Sequence, residues 1–381
     1  MLLFHSLWTM GSYLLPFIFV LGLVVFFHEF GHFIVGRLCG VKVDAFSMGF
    51  GPELAHYVDR RGTRWRLAAL PLGGYVRFHG DASAASEIDP AAAARMSEAE
   101  LKVSFFAQNV WKRAAVVAAG PLANFVLAIL IFTALFYFQG RNVLIPRVAG
   151  VVANSPAAAA GFQAGDLVVS IDGRALDSFA DMQRIVSASG GLKLQFVVQR
   201  AGKLVNLEAT PVVKDSATPF GAEHGGVIGV MAGGAREDWR RQTFSAPAAT
   251  VEAFRETWSV IAGTAAYLGN LSVGKESPRQ LSGPIRIAEV SGEVAKAGLW
   301  PLINLTALLS ISIGFLNLLP VPLLDGGHLL YYVVEAVRGR ALTRRVQEFG
   351  FRIGLAFVAV LMLVATYNDV VRLTRTWLKL G

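Results

Sequence analysis

His28, Glu29 and His32 lie inside an apolar stretch, and their types and spacing suit metal chemistry. Residues four apart share one face of a helix, so both imidazoles can bind one zinc ion while the carboxylate lies beside it. No charged residue occurs from Tyr13 to Phe27. Ionisable groups at membrane depth are costly and usually functional. The pattern therefore predicts hydrolysis inside, or at the edge of, a lipid bilayer.

A third ligand is needed, because catalytic zinc takes three protein ligands and keeps one position for water. Asp325 is the candidate, since it ends an apolar run that carries no charge from Leu302 onward. If every span reverses the chain, this run and the one before His28 have the same direction, so both motifs fall near the same membrane face. His328 is a weaker alternative, because a histidine in a turn beside two glycines is more often solvated or hydrogen-bonded.

Glu29 is expected to act on the reacting water rather than on the metal. Around a helix its side chain is rotated by about 100° from that of His28, so the two do not point at the same ion. Zinc lowers the pKa of bound water towards neutrality. The expected role of Glu29 is that of a general base, which takes a proton from this water and later delivers one to the leaving amine.

Composition indicates a membrane protein. The chain has 381 residues, of which 54% are hydrophobic and 16% charged, whereas soluble domains carry about 25% charged residues. The net charge of +8 does not indicate nucleic acid, because the basic residues are scattered around apolar spans and membrane topology explains them. Cys39 is the only cysteine, which excludes an internal disulfide and a thiolate zinc cluster.

Four segments approach the roughly 20 apolar residues that a membrane-spanning helix requires. They lie near residues 13–36, 114–138, 302–324 and 350–368. The first is expected to be a permanent span, because no Lys or Arg precedes Arg37 and no small-residue cleavage site follows the apolar run. The expected fold class is a polytopic α-helical membrane protein.

Two of these spans contain residues that loosen a helix. Gly120, Pro121 and Asn124 lie in the second span, and the third ends in a proline-rich break. Neighbouring protein or water must then satisfy the loosened backbone. Asn124 is expected to form a hydrogen bond between helices, with contact to substrate as the alternative.

Between the second and third spans, short apolar β-branched runs alternate with turn residues. They predict an inserted β-rich domain at 148–213, with one helix near Phe179–Ser189. The glycine-rich stretch from Lys214 to Gly234 is expected to be a linker. Residues 246–271 have apolar residues at helical spacing, which predicts an amphipathic helix on the membrane surface or, alternatively, a helix packed on the β-rich domain. The expected parts of the chain are 1–138, 148–213, 214–300 and 301–381.

Basic residues predict the orientation of the spans. The connections after the first and third spans are rich in Lys and Arg, which places both in the cytoplasm, although the basic C-terminal tail disagrees. The β-rich domain and both termini then lie outside, and the metal site lies near the cytoplasmic face. The basic residues are Arg37, Lys42, Arg60, Arg61, Arg64, Arg66, Lys112 and Arg113 in the first connection, and Arg338, Arg340, Arg344 and Arg345 in the second.

These motifs resemble the site-2 protease family of intramembrane zinc metalloproteases, and its bacterial RseP type in particular. The resemblance covers nearly the whole chain, and four segments carry it: HEFGH at 28–32, SMGFGP at 47–52, AGPLANF at 119–125 and NLLPVPLLDGG at 317–327. It implies cleavage of single-span membrane proteins, such as anti-sigma factors and leftover signal peptides. It also implies regulated stress signalling and a location in the bacterial inner membrane.

The β-rich domain resembles a PDZ domain. The similar segments are NSPA at 154–157, AGF at 160–162, GD at 165–166 and IDG at 171–173. Such domains bind extended chains by strand addition. A size filter that admits only substrates already trimmed outside is the alternative. A single PDZ-like domain is expected, because residues 214–245 show no second set of such strands.

The resemblance also implies a device that handles substrate. Residues 64–77 have strand-like alternation around the glycine turn Gly73-Gly74, and in similar proteins this segment forms a membrane-associated β-hairpin beside the active site. Its edge would hold a substrate helix in an unwound, extended form. An ordinary cytoplasmic hairpin is the alternative.

Asn317, Pro320 and Pro322 match positions that the family associates with substrate handling. A simpler role is open for the two prolines, which break the helix so that Asp325 can turn towards zinc.

Two other classes of function use the same residues. A zinc transporter or sensor would bind the ion without hydrolysis, but no chain of further acidic or histidine residues marks an ion path across the spans. A membrane scaffold would recruit partners through the PDZ-like domain and hold zinc with a fourth protein ligand. No nucleic-acid partner is expected, and the oligomeric state stays open.

Overall fold

Helices and strands occupy most of the part of the chain that the computed structural model describes, which is residues 2–80, 96–218, 221–274 and 283–379. Pieces of the predicted segments 1–138, 214–300 and 301–381 lie outside these described residues. The helices are α1 (Leu2–Leu38), α2 (Glu98–Val103), α3 (Val110–Phe138), α4 (Pro156–Ala159), α5 (Phe179–Ala188), α6 (Ala246–Ser272), α7 (Pro284–Lys296), α8 (Leu299–Asn317), α9 (Asp325–Arg338) and α10 (Arg344–Lys379).

The strands fall into two groups along the chain. Two long ones, β1 (Val43–Val58) and β2 (Arg64–Phe78), follow α1. The others are β3 (Arg141–Leu144), β4 (Val148–Val151), β5 (Leu167–Ile171), β6 (Arg174–Ala175), β7 (Leu194–Arg200), β8 (Lys203–Ala209), β9 (Val212–Thr218), β10 (Gly221–Val227), β11 (Val230–Ala232) and β12 (Trp239–Gln242). The chain forms two compact units, one of residues 1–133, 250–264 and 277–381 and one of residues 134–249 and 265–276.

Four helices in the described part of the chain are long and apolar enough to cross a membrane. They cover Gly11–Leu38, Val110–Phe138, Leu299–Asn317 and Arg345–Arg372. The predicted number of apolar helices is confirmed, and so is the fold class with its inserted β-rich domain. The helix expected at 246–271 is present as α6, while its place on a membrane surface stays a prediction. The helix α7 was not expected from the sequence.

The third span is shorter than its predicted range of 302–324. Helix α8 ends at Asn317, and residues 318–324 are not helical. Pro320 and Pro322 lack the amide proton that would continue the helix, and Leu323 has φ of 105°. Asp325 therefore does not end the span but begins the new helix α9.

The strands β1 and β2 form the expected hairpin, and its connecting turn lies at residues 59–63. There the Asp59 side chain accepts hydrogen bonds from the backbone of Arg61 and Thr63. The predicted turn at Gly73-Gly74 is therefore wrong, because this pair lies within β2. At this pair the strand bends, and Gly73 has φ of 136°.

Residues 45–48 of β1 pair with two parts of β2. Ala45 is opposite both Arg64 and Arg77, and Met48 is opposite both Leu67 and Gly74. The segment 74–77 consequently forms an outer edge of this sheet among the described pairings. A cluster of buried residues joins the sheet to the end of α1 and the start of α3, and it contains Phe33, Val41, Val43, Phe46, Val76, Phe78, Phe105 and Val116.

The β-rich domain is built on a four-stranded antiparallel sheet with the order β6-β5-β7-β8. Leu194, Phe196 and Val198 alternate along β7 and are buried, as the two-residue period of a strand requires. Helix α5 begins at Phe179, as predicted, because the Ser178 side chain accepts a hydrogen bond from the backbone of Asp181 and caps its first turn.

The predicted linker from Lys214 to Gly234 is wrong, because this stretch belongs to the β-rich domain. Strand β9 pairs with β10, and β11 pairs with β4. Ile228 lies in the domain core and is 2% exposed. The glycines that concealed these strands permit close packing: a Cβ on Gly226 would overlap the backbone of Val186 in α5. The domain therefore extends to β12 rather than to residue 213.

Replacement of Arg200 by Met should loosen the β-rich domain. The Arg200 guanidinium donates two hydrogen bonds of 2.7 Å to the carboxylate of Asp166, whose side chain is 1% exposed. Without Arg200, the nearly inaccessible Asp166 carboxylate would keep its charge but lose its cation, which destabilises the fold around it. We expect faster hydrogen exchange in β5, β7 and β8 of the full-length protein, measured by mass spectrometry.

The same ion pair gives this domain a pH dependence. Its hydrogen bonds from Arg200 hold the pKa of Asp166 below its usual range. The pair therefore contributes fully to the stability of the domain above the unfolded-state pKa of about 3.9, and this contribution is lost as the pH falls further.

Lys193→Met is the control for Arg200→Met. It removes the cation of the exposed pair with Glu208 and should change stability by about 1 kcal/mol or less. Wild-type exchange in Arg200→Met would contradict the prediction.

Candidate metal centre

Three candidate ligand atoms from distant parts of the sequence meet in the structure. His28 and His32 lie one turn apart on α1, and Asp325 is the first residue of α9. Their ligand atoms all lie within 4.8 Å of one another. Asp325 Oδ2 is 3.1 Å from His28 Nε2 and 3.5 Å from His32 Nε2, and the two nitrogens are 3.3 Å apart. The three predicted ligands are therefore brought together.

The sizes of these separations fit a tetrahedral zinc ion. Zinc–nitrogen and zinc–oxygen bonds of about 2.0–2.1 Å give ligand-to-ligand separations of roughly 3.3–3.4 Å in a tetrahedron. The separations of 3.1, 3.3 and 3.5 Å scatter around this value. Two imidazoles and a carboxylate also form a donor set that zinc accepts readily.

The oxygen Asp325 Oδ2 supplies an independent sign of a cation. It is buried and has no hydrogen-bond donor among the described residues, although two imidazole nitrogens lie close to it. A buried acceptor without a partner costs roughly 1–3 kcal/mol. A positive ion between the three atoms would remove this cost, so the residues present fit the metal.

Helix α3 provides no candidate ligand, yet it orients one of them. His32 Nδ1 lies 2.9 Å from the backbone carbonyl oxygen of Val116. Donation of a hydrogen bond to this carbonyl puts the proton on Nδ1 and leaves the lone pair of Nε2 free for a metal. His32 is 9% exposed, so little water competes with this contact.

Glycines allow α1 and α3 to approach closely at the candidate metal centre. A Cβ on Gly120 would overlap the His32 imidazole, and a Cβ on Gly31 would overlap the backbone of Ala119. Pro121 removes one helical hydrogen bond next to this contact. The residues of α3 that loosen a helix thus lie where α1 needs room for its histidine.

Residues 16–361 match the family model described as Peptidase family M50. The chain belongs to peptidase family M50. The matched range contains all three candidate ligands and Glu29, and the predicted membership of the site-2 protease family is confirmed. The protein is accordingly a metalloprotease, and its four apolar helices make it a multi-pass membrane protein.

Relatives of this M50 peptidase are similar along almost their whole length. One from Agrobacterium fabrum, whose name describes a zinc metalloprotease, is 48% identical over 360 residues, covering 94% of this chain and 96% of the relative. Metalloprotease MmpA from Caulobacter vibrioides is 40% identical over 383 residues, covering 94% and 95%. Among solved structures, the PDZ domain of the SdrC-like protein from Listeria monocytogenes matches 23% of this chain and 84% of that chain, with 22% identity and a TM-score of 0.20.

Several contacts hold Asp325 of the M50 peptidase in place. Gly326 and Gly327 allow the first turn of α9 to pack on the carbonyl groups of the preceding break. Farther along α9, Glu335 accepts a hydrogen bond from Arg113 of α3. The guanidinium of Arg113 also lies 4.9 Å from the centre of the Tyr332 ring. The ligand-bearing helix is thereby tied to the helix that orients His32.

Glu29 follows His28 on α1, and its side chain lies close to the sheet. It is not among the grouped ligand atoms, in agreement with the role predicted for it. A Cβ on Gly74 would lie 3.0 Å from Glu29 Cγ and 2.8 Å from the backbone oxygen of Ser47. The edge segment 74–77 therefore passes directly beside the Glu29 side chain.

The other predicted site residues occupy three places. Asn317 is the last residue of α8, and Pro320 and Pro322 lie in the break before α9. Asn124 is fully buried on α3, with Nδ2 3.4 Å from His28 Nδ1, so it does lie between helices as expected. His328 is not part of the ligand group.

The sequence alone did not show that one face of α3 packs against His28 and His32. Val116, Gly120 and Asn124 are spaced by four residues, so they share one helix face towards α1. This spacing was visible in the sequence, but it gains meaning only when the face is known to pack on His28 and His32.

Replacement of Gly120 by Ala should weaken metal binding at this site. The added methyl group would displace the His32 imidazole, and disturbance of the groups around a ligand typically costs about 10–100-fold in metal affinity. The affinity of the purified full-length protein for zinc, measured by competition with a chromophoric chelator, tests this. Gly22→Ala is the matched control on α1, because a Cβ there meets nothing within 4 Å. Equal zinc affinities of both variants would refute the prediction.

Proposed function

We propose that this M50 peptidase is an intramembrane zinc protease, which hydrolyses peptide bonds in the transmembrane segments of other proteins. The observation that carries the proposal is the position of the candidate metal centre. His28, Glu29 and His32 all lie within the apolar helix Gly11–Leu38, which is long enough to cross a membrane. A soluble substrate would not need a site in such a helix.

In the proposed mechanism, His28, His32 and Asp325 hold the zinc. When bound, zinc polarises a carbonyl group and lowers the pKa of a coordinated water. The Glu29 carboxylate lies beside this triad on α1 and accepts the proton of the attacking water. It then donates that proton to the nitrogen of the leaving amine, so the carboxylate is regenerated at the end of the cycle.

The edge segment 74–77 is proposed to hold the substrate. Peptide bonds in a helix are shielded and hydrogen-bonded, so cleavage requires local unwinding. An outer strand offers unpaired backbone groups that can bind an extended chain by strand addition. Gly74 has no side chain, so this edge itself lies close to Glu29, and a chain paired with it would run beside that carboxylate. Asn317, Pro320 and Pro322 in and next to the break are proposed to border the same substrate.

The position of this edge depends on a charged anchor at the hairpin turn. Arg37 at the end of α1 donates hydrogen bonds to Asp59 and, over 2.8 Å, to Thr63. Trp65 Nε1 also donates to Asp59, over 3.2 Å. Burial opposes ionisation of Asp59, but these donors prevail and lower its pKa to about 2. The anchor therefore keeps its charge at every physiological pH.

Substrates are proposed to be single-span proteins, such as anti-sigma factors and leftover signal peptides, in a bacterial inner membrane. The basic connections support a cytoplasmic position for the hairpin and the metal centre, with the β-rich domain in the periplasm. In this domain a cavity of about 160 Å³ lies between α5 and residues 225–230. Its apolar lining by Phe179, Met182 and Val186 supports binding of an extended chain over action as a size filter.

Substitution of Glu29 by Gln should abolish most cleavage and leave zinc in place. The amide has nearly the same shape but cannot accept the proton of water, and loss of a general base costs about 10²–10⁴-fold in rate. The measurement is cleavage of a single-span model substrate by the full-length protein in proteoliposomes, with zinc content determined on the same sample. Glu237→Gln, at an exposed position of the β-rich unit, serves as the control. Undiminished cleavage by Glu29→Gln would contradict the role of Glu29 as general base. Zinc flux into the vesicles would favour a transport function instead of proteolysis.

Asp59→Asn should reduce cleavage without changing zinc affinity. The amide keeps the size of the side chain but removes the charge that binds Arg37, so the hairpin loses its anchor to α1. Misplacement of a bound substrate by about 1 Å can cost roughly 10²-fold in rate. The effect should appear in the same cleavage assay, while chelator competition gives the wild-type zinc affinity. Asp177→Asn, at an exposed carboxylate of the β-rich unit, is the control, and an unaltered cleavage rate in Asp59→Asn would count against the anchor.

A further inference from the structure

We propose that Asn124 is the positioning residue of His28. Its side-chain oxygen accepts a hydrogen bond from His28 Nδ1–H, and this bond keeps the lone pair of His28 Nε2 directed at the metal. The proposal concerns how the protein prepares one ligand, so it does not depend on which substrate is cleaved.

The first support is the burial and position of the amide. Asn124 is 0% exposed, and its Nδ2 lies 3.4 Å from His28 Nδ1. Asn124 Oδ1 is buried without a hydrogen-bond partner among the described residues. The amide of Asn124 thus has one end against His28 and, at the other, an acceptor atom without a donor in the described part of the chain.

The chemistry of His28 decides which end of the amide faces it. Its Nε2 lies in the ligand triangle, 3.1 Å from Asp325 Oδ2, and a nitrogen that binds metal carries no proton. The proton of a neutral His28 is then on Nδ1, where it would face the N–H₂ of Asn124, and two donors repel. Oxygen and nitrogen of an amide differ only by a rotation of 180° about the last bond. Rotation pairs Oδ1 with Nδ1–H and removes the repulsion.

His32 shows the same arrangement one helical turn away. Its Nδ1 contacts the carbonyl oxygen of Val116, and Val116 and Asn124 lie eight residues apart on the same face of α3. With the Asn124 amide rotated, both His28 and His32 have an oxygen of α3 beside Nδ1. Metal-binding histidines generally donate their second N–H to such an oxygen, which fixes the tautomer and the ring orientation.

Helix α8 holds Asn124 at this place from the other side. The Ser310 hydroxyl donates a 2.9 Å hydrogen bond to the backbone carbonyl of Asn124. A Cβ on Gly314 would lie 3.1 Å from Asn124 Cβ, so this glycine leaves room for the asparagine. These contacts restrict the side chain to the space next to His28.

Two substitutions at Asn124 separate an acceptor role from other roles. Asn124→Asp keeps an oxygen acceptor at the same place but removes the amide N–H groups. Asn124→Leu keeps the approximate size and removes the acceptor. Thr306→Val is the control, because it removes a buried hydrogen bond within α8, from Thr306 to the backbone carbonyl of Leu302, and none that involves Asn124 or His28. The zinc affinity of each full-length protein is measured by chelator competition, and thermal unfolding of the metal-free proteins reports on the fold.

We expect the Leu variant to bind zinc about 10–100-fold more weakly than wild type, which is the usual effect of losing such a partner. The Asp variant and Thr306→Val should stay near the wild-type affinity. The proposal is overturned if Asn124→Leu binds zinc like wild type, or if Asn124→Asp loses as much affinity as Asn124→Leu. If the Leu variant does not fold, the Asp variant decides alone, since an amide N–H donor cannot be replaced by a carboxylate.

Discussion

The close approach of α1 and α3 is the constraint on which the rest of the structure depends. Gly31 and Gly120 remove the side chains that would hold the two helices apart, and the His32 imidazole fills the space beside Gly120. With this contact in place, Val116 reaches His32 and Asn124 reaches His28. Arg113 at the start of α3 also reaches Glu335 of α9, the helix that begins with Asp325. The three candidate ligands converge because one ligand-free helix lies against both others.

The chemistry of the site was predictable because it depends on residue types at short spacing. His28, Glu29 and His32 form a recognisable metal-binding pattern within about one helical turn. Asp325 is the only carboxylate at the end of the third apolar run. The count of spans followed from length and apolar composition, which a bilayer makes stringent. The start of α5 followed from Ser178 and the apolar period after it.

Backbone features that rest on long-range packing were not predictable. The third span ends at Asn317 because Pro320 and Pro322 cannot donate the backbone hydrogen bonds that would continue the helix. An apolar run by itself does not indicate where its helix ends. The strands after Lys214 are rich in glycine, which weakens any strand pattern, and they are defined by pairing with β4 and by contact with α5. The bend of β2 at Gly73 likewise depends on two separate segments pairing with the same part of β1.

Helices α1 and α3 run antiparallel, and the contacts between them also fix how far one helix can slide along the other. One residue of a helix rises about 1.5 Å, so a slide by a single residue would put Ala119 or Pro121 opposite the His32 ring in place of Gly120. Such a slide would also carry the oxygens of Val116 and Asn124 away from their histidines. The spacing between Val116 and Asn124 on α3 therefore determines whether both contacts, to His32 and to His28, can form at the same time. Insertion or deletion of one residue within this part of α3 is therefore a change to the metal site, even though α3 binds no metal itself.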